Sequence, residues 1–196
     1  MPADNQRTHL RRRFRSARRN LNNRQAIERA LNQHVLNFLS DIPSHNVVAA
    51  YVAMPEEVQL DRVYAQRSGQ VWALPVVDEA RSGSMSFLAW HADDALQVGN
   101  FGIQTPSPDA ALVSPDTIAL FLMPLVAFDD QGVRLGMGGG YYDRFLAQLR
   151  VDVPRVGIGF DCQRSSTALP EEPWDVHLTA AITESGVVEF RPQNSN

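Results

Sequence analysis

The residues best suited to chemistry lie in one short stretch, residues 134–143, which reads RLGMGGGYYD. Four of five consecutive positions are glycine. Clustered glycines let backbone N–H groups converge on an anion, and the helix that the next residues begin would add partial positive charge. Arg134, two residues before the first glycine, can add a full charge with bidentate geometry. The stretch therefore predicts a phosphate-binding loop.

The loop matches neither common phosphate-binding signature. A P-loop needs a Lys after its last glycine, and all 18 basic residues of this chain are Arg. The dinucleotide fingerprint is G-x-G-x-x-G, whereas the spacing here is G-x-G-G-G. The glycines alone would also fit a tight surface turn. The adjoining Arg134, Tyr141, Tyr142 and Asp143 favour a binding site.

The loop is positioned by an apolar run before it and a helical pattern after it. Residues 121–128 are apolar except for Pro124, which predicts a buried strand, and residues 129–132 predict a turn. Elsewhere, strand-like runs alternate with helical ones, which predicts a three-layer α/β fold with a mainly parallel sheet. The other expected helices are 4–20, 22 or 23 to 39 with an Asn cap, 58–67 and 141–150. The other expected strands are 47–52, 71–75, 85–90, 155–160 and a last one at 179–183. Expected loops are a polar turn at 81–83, a long ordered loop at 99–115 and a loop at 161–173.

Two acidic residues, Glu56 and Glu57, follow the first expected strand. The carboxyl ends of strands are where ligands bind in open α/β sheets. Acidic side chains also favour the start of a helix, so both interpretations stay open.

The N-terminal segment is strongly basic, with nine arginines among residues 1–29 against Asp4 and Glu28. In the first helix, Leu10, Phe14 and Ala17 form a narrow apolar stripe flanked by arginines. Such a helix could bind nucleic acid, remain a solvated basic surface, or bind the phosphates of a small ligand.

Composition limits the general class. The chain has 196 residues and is 44% apolar, which predicts a single domain, with helices 1–40 packed on a sheet and a frayed tail at 191–196. No run reaches membrane-spanning length and no signal-peptide core follows the basic start. The single Cys162 cannot form an internal disulfide, which predicts a cytoplasmic protein.

The run from Arg134 to Asp143, with its lead-in from Pro124 to Asp129, resembles the 5-formyltetrahydrofolate cyclo-ligase family, and the resemblance extends over nearly the whole chain. It implies a fold related to the sugar-phosphate isomerase and CoA-transferase architecture. It also implies an enzyme that converts 5-formyltetrahydrofolate to 5,10-methenyltetrahydrofolate with ATP and Mg²⁺. We expect this enzyme to be a monomer that binds neither nucleic acid nor membranes. Phosphorylation of the formyl oxygen and attack by N10 would close the ring and release ADP and phosphate.

The resemblance implies roles for individual residues. Arg134 and Asp143 would be catalytic, and Asp143 and Asp175 would hold Mg²⁺. The implied ATP contacts are Arg7, which stands in place of the usual Lys, Thr8, His9, Leu10, Arg11, Arg134, Leu135, Gly136, Met137, Gly138, Gly139, Gly140, Tyr141 and Tyr142. The implied folate contacts are Val52, Met54, Glu57, Phe101, Met137, Gly138, Gly139, Gly140 and Tyr141. Thr105 stands where many members carry Glu.

Two other classes remain open from the residues alone. One is an α/β enzyme that binds a sugar phosphate in the same loop and needs neither ATP nor metal. The other is a nucleic-acid-binding protein that uses the N-terminal arginines.

Overall fold

The computed structural model describes residues 3–78, 84–149 and 152–190, apart from the side chains of residues 3, 4, 78 and 101. The expected turn at 81–83, the expected helix end at Arg150 and the tail at 191–196 lie outside the described residues. The helices are α1 (Ala3–Arg19), α2 (Arg24–Phe38), α3 (Asp61–Gln66) and α4 (Tyr141–Leu146). The strands are β1 (Val47–Ala49), β2 (Trp72–Asp78), β3 (Ser84–Trp90), β4 (Gln97–Val98), β5 (Gln104–Thr105), β6 (Ile118–Pro124), β7 (Ala127–Phe128), β8 (Arg134–Leu135), β9 (Arg155–Ile158), β10 (Ala180–Thr183) and β11 (Gly186–Glu189).

Seven strands form the central sheet in the order β11-β10-β9-β6-β1-β2-β3. The five inner strands are parallel, while β3 and β11 are antiparallel edge strands. Parallel strands need cover on both faces, which agrees with the continuous apolar run in β6. The sheet confirms the predicted mainly parallel α/β fold.

Strand β6 shows how the layers are built. Leu120 and Leu122 lie in one buried cluster with side chains of α2 and α3, whereas Phe121 and Met123 lie in a second cluster with Leu146 of α4. Because successive side chains of a strand point to opposite faces, the two clusters occupy the two sides of the sheet. Helices therefore cover both faces.

Both N-terminal helices were expected to pack on the central sheet, but helix α1 does not pack on a face of it. Its apolar residues Leu10 and Phe14 pack against the β7–β8 hairpin, in a cluster with Val126, Leu135 and Leu169. The stripe on α1 is narrow, so it covers only this small hairpin. As a result α1 reaches the glycine loop that follows β8.

The apolar run 121–128 is two strands, not the single one expected. Strand β6 ends at Pro124, and β7 pairs with β8 in a separate two-stranded sheet. Strand β2 continues through Pro75, where the sequence predicted its end. Strand β1 pairs only with Trp72 and Ala73 of β2, so the proline ring lies where β3 is the single neighbour.

Other boundaries also differ from expectation. Strand β1 ends at Ala49, α3 begins at Asp61, and α4 ends at Leu146. Strand β10 is followed by β11, which completes an edge hairpin. Asn23 precedes α2 but its side chain makes no capping hydrogen bond; its backbone adopts φ 55° instead.

Among the helices of the described residues, none has the length and apolar character that crossing a membrane would require.

Candidate active site

A cleft of about 1240 Å³ opens at the carboxyl ends of the parallel strands. Tyr51 and Val52 after β1, Val76 of β2 and Leu125 after β6 all line it. Crossover connections bring the carboxyl ends of parallel strands to one edge of the sheet, where loops can form a site. The cleft therefore lies where the fold predicts ligand binding.

The glycine loop forms one wall of this cleft. Gly138 has φ +107° and Gly140 has φ +64°, values that favour glycine. The Nε of Arg11 donates a hydrogen bond of 2.9 Å to the carbonyl of Gly136. A Cβ at Gly138 would lie 3.5 Å from the Arg11 guanidinium carbon. The loop thus holds an arginine of α1 directly against its backbone.

Two acid–arginine pairs lie beside the loop. Arg134 Nη2 is 2.8 Å from Asp143 Oδ1, and Arg7 Nη2 is 2.9 Å from Asp175 Oδ2. Asp143 Oδ1 also accepts a hydrogen bond of 3.1 Å from the backbone N–H of Val176. This bond brings the segment that carries Asp175 against the start of α4. The two carboxylates implied as metal ligands are therefore on the same wall.

Three buried polar atoms on this wall and beside it have no hydrogen-bond partner in the described part of the chain: Nε of Arg7, Nε of Arg134 and the hydroxyl of Tyr142. All three side chains line the cleft. Buried donors are normally satisfied, so each points to a polar ligand or ordered water in the cleft. Two belong to guanidinium groups, which suit an anion.

Glu57 is a buried carboxyl group in the same cleft, with 7% of its surface exposed. Burial raises the pKa of its carboxyl, against the opposing effect of a 3.0 Å hydrogen bond from the backbone N–H of Met54 to Oε2. Burial also raises the pKa of the Tyr142 hydroxyl, and the charge of Glu57 contributes to that rise. Val52 and Met54 line the cleft beside them.

Glu56 has a different environment, which the sequence did not indicate. Its carboxylate pairs with Arg18 at 3.2 Å, Arg15 at 3.4 Å and Arg19 at 3.5 Å. Arg18 is 2% exposed and also donates to the carbonyl of Leu125 at 3.3 Å. Glu56 therefore fastens α1 to the carboxyl end of the sheet, while its neighbour Glu57 lies in the cleft.

Four of the implied ATP residues lie away from the cleft lining. Leu10 and Leu135 are in the apolar cluster under α1, and Thr8 and His9 are exposed on α1. The other implied ATP residues line the cleft, as do the implied folate and metal residues other than Phe101.

Phe101 belongs to a short 3₁₀ turn, and its side chain lies outside the described residues. Its loop nevertheless borders the cleft through Asn100 and Ile103. Thr105 is 8% exposed and also lines the cleft. The loop expected over residues 99–115 is therefore part of the site wall.

Sequence reasoning missed several lining residues, and few signals could have found them. Tyr51 precedes Val52 on the same segment, and Arg144 follows Asp143 directly. Met85 comes from the edge strand β3, and Trp174 precedes Asp175. Proximity in sequence to an expected site residue was the only available signal, except for Met85, which had none.

The side chains that could bind a metal, and the arginines of α1, bear on the need for a metal and on the nucleic-acid interpretation. In the described ranges, no three His, Cys, Asp or Glu residues form a group that could hold a metal. The two carboxylates suit Mg²⁺, which commonly uses one or two carboxylates together with substrate phosphates. Arg7, Arg11, Arg15 and Arg18 contact groups of their own chain, which weakens the nucleic-acid interpretation.

Comparison with known proteins gives consistent matches. The model of the 5-formyltetrahydrofolate cyclo-ligase family matches residues 3–184. The 5-formyltetrahydrofolate cyclo-ligase of Escherichia coli K12 is 36% identical over 149 residues, which cover 74% of this chain and 81% of the relative. The enzyme of that name from Haemophilus influenzae is 34% identical over 158 residues, 77% of this chain and 82% of the relative.

Two solved structures also resemble the chain. The Aquifex aeolicus 5,10-methenyltetrahydrofolate synthetase has a TM-score of 0.78 and 31% identity, covering 97% of this chain and 95% of that one. The Mycoplasma pneumoniae 5,10-methenyltetrahydrofolate synthetase has a TM-score of 0.72 and 25% identity, covering 91% and 98%. The chain belongs to the 5-formyltetrahydrofolate cyclo-ligase family.

Proposed function

We propose that this chain is a 5-formyltetrahydrofolate cyclo-ligase, which converts 5-formyltetrahydrofolate to 5,10-methenyltetrahydrofolate at the expense of ATP. The observation that carries the proposal is that one cleft joins two unlike sets of residues. The glycine loop with Arg7, Arg11 and Arg134 forms an arginine wall, and elsewhere the lining contains the buried carboxyl group of Glu57 together with Val52 and Met54.

The arginine wall would hold the triphosphate. Arg7 and Arg11 are four residues apart and so project from one face of α1. Arg11 is already fixed on the loop, and Arg134 is held by Asp143. Fixed donors stabilise developing charge well because they need no reorganisation when the reaction occurs.

The part of the lining around Glu57 would hold the folate. A pterin ring is flat and apolar on its faces, with hydrogen-bonding groups on its edge, which suits Val52 and Met54 beside the carboxyl group of Glu57. The charge of Glu57 acts on the unpartnered hydroxyl of Tyr142, which also lines the cleft and can serve the same ring edge. A cleft of about 1240 Å³ exceeds what one drug-sized ligand needs, so two substrates can meet in it.

The reaction needs charge stabilisation more than a protein nucleophile. The N5 formyl oxygen is a poor leaving group until the γ-phosphoryl group of ATP is transferred to it. N10 then attacks the formyl carbon, its proton is released, and the C–O bond breaks to give phosphate and the methenyl product. Positioning and neutralisation account for most catalysis of phosphoryl transfer. Arg134, Arg7, Arg11 and the loop N–H groups would supply both.

Asp143 and Asp175 are the residues that would hold Mg²⁺. Bound there, the ion would neutralise phosphate oxygens during transfer. Each carboxylate already faces a guanidinium group, and the hydrogen bonds described for it use one oxygen, Oδ1 of Asp143 and Oδ2 of Asp175. Mg²⁺ would therefore bind these carboxylates next to Arg134 and Arg7, or replace the two guanidinium groups as their partner.

The proposal includes the cellular compartment, the binding partners and the oligomeric state. With a single Cys162 and no second cysteine to pair with, the chain suits a reducing cytoplasm. Its partners would be small molecules, including polyglutamylated forms of the folate, and the enzyme would act as a monomer.

The test is to incubate the purified chain with 5-formyltetrahydrofolate, ATP and Mg²⁺ and follow the absorbance of the methenyl chromophore. Chromophore, ADP and phosphate should form in equal amounts, and omission of ATP should abolish all three. Formation without ATP, or ATP hydrolysis without chromophore, would contradict the proposal. A sugar-phosphate enzyme or a nucleic-acid-binding protein would give no signal.

A further inference from the structure

Trp174 is an exposed indole at the rim of the cleft. Its exposed fraction is 67%, whereas Trp72 and Trp90 are buried at 0% and 6%. Met137 in the glycine loop is the other large apolar side chain that both lines the cleft and is markedly exposed, at 47%. Neither exposure is explained by packing of the fold.

The backbone around Trp174 is held on both sides. The N–H of Asp175 donates to the carbonyl of Glu172 at 2.9 Å, and the N–H of Glu172 donates to Asp175 Oδ2 at 3.0 Å. The Asp175 side chain is 5% exposed and pairs with Arg7. One closed turn therefore directs the carboxylate inward and leaves the neighbouring indole in solvent, so presenting the indole requires little further ordering.

The surroundings place Trp174 beside the arginine wall. Asp175 contacts Arg7, and the glycines on either side of Met137 lie against Arg11. Residues four apart on a helix have Cβ atoms about 5–6 Å apart. Trp174 and Met137 thus adjoin two neighbouring points on α1, at the part of the cleft that suits phosphate.

Other aromatic faces at the site are already used. The Arg144 guanidinium lies 5.2 Å from the centre of the Tyr141 ring, and Tyr142 packs edge-on against Phe87 with centroids 6.4 Å apart. Trp174 is thus the aromatic side chain with the most exposed surface among the described residues of the cleft.

We infer that Trp174 stacks on the base of the bound nucleotide, with the Met137 thioether bordering the same site from the glycine loop. This inference rests on the proposed ATP-dependent function. A purine offers a flat π-surface that an indole face binds well, and a thioether makes favourable contacts with aromatic rings. The stacking would add base affinity to the charge-based affinity of the arginine wall.

Binding of ATP, ADP and inorganic tripolyphosphate to wild type, Trp174→Ala and Trp174→Phe tests the assignment by calorimetry. Stacking on an aromatic side chain is worth enough to make Trp174→Ala weaken ATP and ADP binding about tenfold. Tripolyphosphate has no base, so its affinity should not change, and Trp174→Phe should recover most of the loss. Val187→Ala removes an exposed apolar side chain of β11 away from the cleft and should alter no affinity.

Fluorescence gives an independent readout, because the other two tryptophans are buried. ADP should change the emission of the wild type but not of Trp174→Phe, and tripolyphosphate should leave the emission unchanged. An equal loss of ATP and tripolyphosphate affinity in Trp174→Ala would show that the indole only supports Asp175 and would overturn the inference. Unchanged ATP affinity in Trp174→Ala would overturn it as well. Failure of the wild type to bind any of the three would instead contradict the proposed function.

Discussion

At the scale of single residues, Glu57 carries a conflict between stability and binding. Its carboxyl group is buried, and burial raises its pKa above the ordinary value of 4.5. A carboxyl group whose pKa is raised on folding stabilises the fold below its unfolded pKa, and that contribution is lost as the pH rises through the folded value. At neutral pH the buried charge therefore costs stability, which a role in ligand binding would justify.

At neutral pH we expect the free energy of unfolding of Glu57→Gln to exceed that of the wild type by roughly 1 kcal/mol. The variant should therefore unfold at a higher urea concentration. The amide oxygen can still accept the hydrogen bond from Met54. The difference should vanish below about pH 4.5 and grow as the pH rises, because only the wild type ionises. Urea unfolding from pH 4 to pH 8 measures it, and a difference independent of pH would contradict the argument.

In steady-state kinetics, Glu57→Gln should raise the KM for the folate and leave the KM for ATP nearly unchanged.

Asp143 is the second residue whose charge can be tested separately from its shape. Asp143→Asn keeps an oxygen that can accept from Arg134 and from the N–H of Val176, so the fold should persist. Loss of the negative charge should lower kcat by orders of magnitude, since metal-assisted neutralisation of the phosphates would fail.

Circular dichroism checks the fold of Asp143→Asn, and a Mg²⁺ titration of the rate checks the role. Asp175→Asn should need more Mg²⁺ for half-maximal rate. If the wild type and both variants gave the same Mg²⁺ curve, the metal would have other ligands.

At the scale of elements, α1 is the part of the site with the weakest apolar attachment. Among the described side chains of α1, Leu10 and Phe14 belong to the cluster under the hairpin, and a charged junction near the carboxyl end of the helix adds to this attachment. In that junction Arg18 joins Glu56 to the carbonyl of Leu125, where β6 ends. The position of Arg7 and Arg11 therefore depends on contacts more than one helical turn away from them.

We expect Arg18→Met, which keeps the apolar stem and removes the guanidinium, to raise the KM for ATP several-fold. The KM for the folate should rise less, because Arg18 contacts Glu56 and the carbonyl of Leu125 and acts on Glu57 only through its charge. Loss of a buried charged hydrogen bond should also cost about 1–3 kcal/mol of stability. Kinetics and hydrogen exchange across α1 measure both effects.

Arg12→Met is the matched control for Arg18→Met, because Arg12 is exposed on the same helix. An equal rise of both KM values in Arg18→Met, or the same effect in the control, would show that the junction does not position α1 for ATP.

At the scale of the whole molecule, the distribution of apolar surface favours a monomer. Helices cover both faces of the central sheet, and the antiparallel strands β3 and β11 form its edges. Within the described residues the exposed large apolar side chains are Val98, Leu112, Met137, Trp174 and Val187, which do not form one chain segment. Two of them line the cleft.

Light scattering after size exclusion should therefore give a mass near 21.8 kDa at tens of micromolar. Val187→Ala, on the edge strand β11, should give the same mass. Twice that mass, with return to the lower mass in Val187→Ala, would identify this edge as a dimer interface.

The sequence by itself determined the local parts of this protein. The spacing of glycines between Arg134 and Asp143 predicted an anion-binding loop because these residues are neighbours whatever the rest of the chain does. Alternating apolar and helical segments predicted the parallel α/β sheet for the same reason, since periodicity reflects which side of an element is buried. The resemblance in these residues also led to the family.

Only the tertiary structure decided which distant residues meet. Arg7 and Asp175 lie near opposite ends of the chain, and the packing of α1 on the β7–β8 hairpin brings them together. The sequence did not predict this hairpin, because its first strand lies in a continuous apolar run that was expected to be a single strand. Glu56 and Glu57 are adjacent and alike in sequence, yet one fastens α1 and the other lies buried in the cleft. Such contacts depend on strand order and on the direction in which each segment leaves the sheet, and neither is encoded in local spacing.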